Sequence, residues 1–272
     1  MKLLEVNNLK IWDSNKIIIH NISFCIEQGR CLAIVGESGS GKSITCRAIM
    51  RLNRSFLHQS GDILFKGENL NQLSTKEMRK KRGRNLYMIL QNGMSAFDPS
   101  CVVGVHLRET LAEHFSWSKN EMEVKMTRAM ESVMLKNPAE IMNKYPHQLS
   151  GGMLQRIMIA LAILLEPDII IADEPTTALD TISQFEVIEQ FIKLREIMGC
   201  SIVFISHDLG IVRKIADDVI VMKDGEIIER GKTEVIFSEA QHDYTKYLVS
   251  TRLVLSDNFK KVMGEEPLVA EG

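Results

Sequence analysis

Apolar positions along this chain follow two rhythms. In Leu3–Leu9 and Lys16–Ile26 they alternate with polar residues or run as β-branched stretches, which predicts two strands. The chain turns at Gln28-Gly29 and enters the continuous apolar run Cys31–Val35, the pattern of a strand buried on both faces. Gly36–Gly41 follows, then a helical pattern from Lys42 to about Leu52. A hairpin signal lies at Gly61–Gly67, and Asn85–Leu90 is a short apolar strand that ends at Gln91. From about residue 92 to residue 166 the period becomes helical, in segments near Val103–Phe115, Asn120–Leu135 and Ser150–Leu165. Strands return at Asp168–Ala172, Ser201–Ile205 and Val219–Met222, with a helix over Thr181–Met198 between them. Glu226–Arg230 reads as a last edge strand before a short helical tail. Strands alternating with helices predict an α/β fold with a largely parallel sheet, interrupted by a helical lobe.

Composition narrows this little. Hydrophobic residues make up 45% and charged residues 25% of the 272, an ordinary globular mixture with enough chain for a large core. The net charge of −2 gives no general pull towards nucleic acid or anionic lipid. The longest apolar run, Ile157–Leu165, is nine residues, about half of the roughly 20 a membrane-spanning helix needs. The first residues turn polar too soon for a secretory leader. Five cysteines without a CxxC pair, and seven scattered histidines, predict neither a disulfide framework nor a zinc site. The methionines, many at helical spacing, read as packing residues.

The chemistry is concentrated in short strings. Gly36-Glu37-Ser38-Gly39-Ser40-Gly41-Lys42-Ser43 fits G-x-x-x-x-G-K-[ST] between a strand and a helix. Such a loop curls its N–H groups onto phosphate oxygens, and the helix N-terminus adds about half a positive charge. Lys42 is placed to reach the β- and γ-phosphates of ATP, and the Ser43 hydroxyl to ligate Mg2+. Asp173 and Glu174 end a buried strand, at the edge where parallel sheets bind ligands. Asp173 suits Mg2+ and Glu174 the attacking water. Gln91 and His207 also follow strands; Gln91 suits Mg2+ or water, and His207 the γ-phosphate. A second anion-binding helix terminus opens at Ser150-Gly151-Gly152, with Ser150 as a good N-cap. One nucleotide needs one such cradle, so the second suggests a site shared between two subunits.

The string Leu149-Ser150-Gly151-Gly152-Met153-Leu154-Gln155-Arg156 resembles the signature of ATP-binding-cassette (ABC) ATPases, with Met153 where glutamine is commoner. The other motifs follow in that family's order: P-loop, Gln91, signature, Asp173-Glu174, Ala178-Leu179-Asp180, His207. The resemblance implies a P-loop NTPase core with a mainly parallel sheet, an N-terminal antiparallel β subdomain and an inserted helical lobe. It places the cassette over residues 1–231, the lobe at about 92–166, and a short helical tail at 232–272. It also implies a head-to-tail dimer in which Ser150, Gly151 and Gly152 close on ATP held by the partner's P-loop. In that dimer Glu174 is the base, His207 the switch and Asp180 a cross-subunit link. Trp12 is the candidate adenine-stacking ring, a contact worth about 1–3 kcal/mol.

Gln91-Asn92-Gly93-Met94-Ser95-Ala96-Phe97-Asp98-Pro99 resembles the corresponding segment of peptide- and nickel-importer ATPases. His242-Asp243-Tyr244-Thr245 resembles the His-Pro-Tyr-Thr motif of that branch, with Asp243 in place of proline. No cysteine follows Cys200, so the iron–sulfur cysteines of some peptide-importer tails are absent. The signature string is similar to that of D-type nickel-importer ATPases. The resemblance therefore implies a motor subunit, peripheral on the cytoplasmic side of the cell membrane, importing nickel or another transition metal, free or chelated. Its implied partners are a second, different ATPase subunit, two membrane permease subunits and an extracytoplasmic binding protein, with no nucleic acid. An oligopeptide importer ATPase is the alternative reading. A soluble cassette acting on nucleic acid or the ribosome is a further one, supported mainly by the basic run Arg79–Arg84, which more plainly reads as a solvated helix end.

Overall fold

In the computed structural model, which describes residues 1–177 and 179–251, the two rhythms separate into two sheets. β1 (Lys2–Trp12) and β2 (Ile17–Glu27) pair antiparallel and turn Leu4, Val6, Leu9, Ile19, Ile22 and Phe24 inward. Strict alternation would bury Asn8 and expose Leu9. Asn8 instead takes φ 50° where the register slips, so that Leu9 faces the core and the strand continues to Trp12. That is why β1 outruns the Leu3–Leu9 segment expected from the sequence.

β3 (Cys31–Val35) is buried at every position and leads through the glycine-rich loop into α1 (Lys42–Ile49). The helix stops before Leu52. Arg51 turns to φ 50°, and the Arg82 guanidinium donates to the carbonyls of Met50 and Arg51 at 2.9–3.0 Å, closing a helix end that would otherwise leave its carbonyls open. β4 (His58–Phe65) joins β1, and Lys66-Gly67 turns it back into β5 (Glu68–Asn69). α2 (Thr75–Lys81) then starts on a capping box between Ser74 and Glu77 and leads to β6 (Leu86–Ile89).

The helical stretch folds as α3 (Val103–His114), α4 (Lys119–Ser132), α5 (Pro138–Met142) and α6 (Gly151–Leu165). Their buried Leu107, Met126, Met130 and Ile157 form one core with the adjoining face of the larger sheet. The chain continues through β7 (Ile169–Asp173), α7 (Thr181–Met198), β8 (Ser201–Ile205), α8 (Leu209–Ile215), β9 (Asp218–Lys223), β10 (Glu226–Lys232) and α9 (Thr233–Ser238). Residues 243–251 are again helical. Among the described residues no helix is long and apolar enough to cross a membrane.

The smaller sheet has the order β2-β1-β4-β5 and the larger the order β10-β9-β3-β8-β7-β6, parallel except for β10. This order sets the loops after β3, β8, β7 and β6 side by side at one edge, where an α/β sheet holds ligands. The β9–β10 turn ties the two sheets there: His20 N–H donates to Gly225 O at 2.9 Å, and Gly225 N–H donates to Ser40 O at 3.2 Å.

Within the basic run, Arg82 is built into the fold at the end of α1 and Lys81 pairs with Glu68, while Arg79 pairs with Glu113 at an exposed position. Arg82→Ala should lower unfolding free energy by about 1–3 kcal/mol, through the carbonyls left open. Lys80→Ala, on an exposed position, should change it by less than about 0.5 kcal/mol. Equal effects in denaturant titrations would remove the capping role.

Candidate functional site

The loop after β3 needs its glycines. Gly36 has φ 150°, and a Cβ there would lie 2.2 Å from Met222 O; Gly41 has φ 102°, and a Cβ there would lie 2.3 Å from Ile19 Cδ1. Only glycine lets the backbone curl this close to β9 and β2. The buried Lys42 bends back over the loop, its Nζ donating to Gly36 O at 2.9 Å and Glu37 O at 2.8 Å, with Ser40 Oγ at 3.5 Å. Glu37 and Ser38 form the loop's exposed outer side.

Ser43 Oγ donates to Asp173 Oδ1 at 2.7 Å. Burial raises the Asp173 carboxyl above its ordinary value, against the Ser43 hydrogen bond and the nearby charges of Arg47 and Lys42, which lower it. A desolvated carboxylate beside a hydroxyl is a hard-oxygen pair that a divalent cation would relieve. Mg2+ takes few protein ligands and keeps water and substrate phosphates for the rest. The donor set fits it, and among the described residues no cluster of three His, Cys, Asp or Glu side chains builds an all-protein metal cage.

The next residue, Glu174, sits at φ 48° with its N–H on Ile205 O at 3.1 Å. Its Oε2 accepts from Gln91 Nε2 at 3.1 Å and from Thr177 Oγ1 at 3.0 Å, and lies 3.5 Å from His207 Nδ1. Gln91, Glu174 and His207, predicted separately from three strand ends, therefore meet at one carboxylate oxygen.

A second group forms around the starts of α6 and α7. Ser150 caps α6, accepting from Met153 N–H at 3.2 Å. Asp180 caps α7, and the N–H and hydroxyl of Ser183 hold its carboxyl below the ordinary range. A Cβ on the buried Gly152 would meet the Ser183 side chain at 3.4 Å, so the start of α6 packs against the start of α7, with Ser150, Gly151 and Asp180 exposed beside it. Gln155 of α6 bridges the two groups: its buried Nε2 donates to Leu90 O at 2.9 Å and Gln91 O at 3.3 Å. Trp12 packs beside His58, ring centroids 5.9 Å apart, under the ammonium of Lys10. Among the described residues neither group reaches it by hydrogen bond or ring contact. Ala178 lies outside the described residues.

Sequence reasoning missed the placing roles of Thr177 and Gln155. Both stand in or beside motifs already singled out, but nothing in a polar side chain's identity says which carbonyl or carboxylate it will reach.

A family model described as ABC transporter matches residues 19–177, more than half of the chain. The chain belongs to the ABC transporter family. This ABC cassette is 47% identical over 265 residues to the metal-staphylopine import system ATP-binding protein CntD of Staphylococcus aureus, covering 97% of this chain and 98% of that one. It is 40% identical over 275 residues to the oligopeptide transport ATP-binding protein OppD of Bacillus subtilis, covering 99% and 75%. Its fold matches the dimeric structure of an ATP-binding cassette in a post-hydrolysis state bound to ADP and Pi, with TM-score 0.75 and 27% identity over 85% of this chain and 99% of that one. It is an ATP-binding, ATP-hydrolysing cassette with the α/β architecture expected from the sequence.

Asp173→Asn keeps an acceptor for Ser43 and removes a charge whose ionisation burial opposes. The nucleotide-free protein at neutral pH should melt at an equal or higher temperature. Its turnover should fall by roughly a hundredfold or more. A lower melting temperature with intact turnover would refute both halves.

Proposed function

We propose that this ABC cassette is the ATP-hydrolysing subunit of an importer that brings in a transition metal, nickel among the candidates, as a small chelate. The observation that carries the cargo is the 47% identity, over almost all of both chains, to a protein of metal-staphylopine import. The motor reading draws on the convergence of Gln91, Thr177 and His207 on Glu174, beside the Ser43–Asp173 pair. In this reading the cassette domain spans 1–231, with the helical lobe at about 92–166, and a tail follows from 232. The protein sits on the cytoplasmic side of the cell membrane against two permease subunits, fed by an extracytoplasmic binding protein.

The curled loop from Gly36 to Lys42 binds the phosphates, with Trp12 offered to the base. Ser43, Asp173 and Gln91 would hold Mg2+, which when bound offsets the phosphate charge. Glu174 orients the attacking water and takes its proton. Thr177 and Gln91 fix the rotamer of that carboxylate so that Oε2 stays in place. His207 holds its ring 3.5 Å from the same oxygen and would contact the γ-phosphate of a bound nucleotide. Ser150, Gly151 and Asp180, exposed beside the buried Gly152, lie on the face that would close on a second, different cassette. ATP held between two cassettes favours the closed pair, and its hydrolysis releases it, a population shift that moves the helical lobes.

The likeness to OppD favours a second reading, with oligopeptides as cargo. The nucleic-acid reading draws less support from the basic run, because Lys81 pairs with Glu68 and Arg82 is engaged at the end of α1.

Glu174→Gln should keep ATP binding and slow hydrolysis by about 10²–10⁴-fold; fast turnover would remove Glu174 as the base. Reconstituted in vesicles with its permease, second cassette and binding protein, the ATPase should be stimulated by metal chelates and not by peptides. Stimulation by peptides alone would overturn the cargo and keep the motor.

A further inference from the structure

The tail motif His242-Asp243-Tyr244-Thr245 has no part in the reading above, yet its residues are built into the molecule. The backbone N–H groups of Gln241 and His242 donate to the two carboxylate oxygens of Glu229 on β10, at 2.7 and 3.1 Å. Burial pushes that carboxyl up, but the donors outweigh it and hold Glu229 below its ordinary value, so the anchor is charged at neutral pH. His242 Nδ1 accepts from Tyr244 N–H at 3.1 Å. Leu248 is buried and Val249 partly buried against Val35, Val221 and Ile236, which seats the helical residues 243–251 against the end of β3. Lys223 lies 5.0 Å above the Tyr244 ring.

This seating carries the Tyr244 hydroxyl to the phosphate loop, where it accepts from Glu37 N–H at 3.1 Å. The peptide unit that offers this N–H also offers Gly36 O, the carbonyl bound by Lys42 Nζ at 2.9 Å. One peptide is therefore gripped on both sides, by the tail at its N–H and by the phosphate lysine at its C=O. A lysine that turns to a phosphate leaves Gly36 O, and then the tail's grip is the one that stays.

We propose that Tyr244 is a positioning residue for nucleotide binding, its hydroxyl holding the Gly36–Glu37 peptide so that the loop keeps its curl as Lys42 engages phosphate. This rests on the P-loop reading. A loop ordered before its ligand arrives gives up less conformational freedom on binding, so the effect falls on affinity and not on the chemical step. Phenylalanine would fill the same space and keep the ring under Lys223, so only the hydroxyl distinguishes positioning from packing.

The test uses the full chain, with steady-state ATPase assays and titration of a fluorescent, non-hydrolysable ATP analogue. Tyr244→Phe should raise the KM for ATP and the Kd of the analogue by about three- to tenfold, the scale of one hydrogen bond. Its kcat at saturating ATP and its melting temperature should stay close to those of the parent. Glu229→Gln, which turns an amide against one of the two N–H donors, should shift KM in the same direction, and the double variant should be no worse than the poorer single one. Unchanged KM and Kd in Tyr244→Phe overturns the proposal, as does a loss confined to kcat. Lys42→Ala, run in parallel, separates the two readings. If it binds nucleotide normally, the P-loop reading falls; if it fails to bind while Tyr244→Phe binds normally, only the tether falls.

Discussion

Ser43 and Asp173 lie 130 residues apart in the chain and are joined by a single 2.7 Å hydrogen bond. Much of the molecule exists to make that bond possible. β7 must be buried along its whole length to bring a carboxylate to the sheet edge with so little water around it. The loop before α1 must curl tightly enough to aim the first turn of the helix at that carboxylate. β8 must lie between β3 and β7 in the sheet, so that the chain crosses over its tip. A carboxylate in this position is costly to keep charged, and the fold accepts that cost where a cation would be of most use.

From this pair the structure extends outward in layers. Glu174 follows Asp173 directly and takes its place from Gln91, Thr177 and His207, each supplied by a different loop. Gln91 is held in turn by Gln155, whose helix begins at the Ser150 cap. A continuous set of contacts thus runs from the start of α6 to the Glu174 carboxylate. Beside the apolar core that the helical lobe shares with the sheet, one amide side chain of the lobe holds two backbone carbonyls at the end of β6.

What could be read in the sequence was mostly local. β3, β8 and α7 occupy the segments their apolar patterns predicted, because a strand buried on both faces or a long helix declares itself within a few residues. Boundaries moved where a distant group intervened. Arg82 ends α1 from 32 residues away, and the slip at Asn8 lengthens β1 against the pairing of β4. α2 was legible only at its basic end, Arg79–Arg84, although its start is written in the Ser74–Glu77 box. The site motifs were legible as strings, but their convergence was not. That Gln91, Glu174 and His207 share one oxygen depends on strand order, and the contact of Tyr244 with Glu37 spans 207 residues.

The backbone at Glu174 has a consequence of its own. A residue with a side chain in the left-handed region costs about 1–2 kcal/mol, which glycine would recover. The carboxylate proposed as the base therefore stands where the polypeptide would rather have none. Laboratory selection for heat resistance alone would push this position towards hardier, inert variants. Any programme to toughen the cassette has to screen each generation for turnover as well as survival.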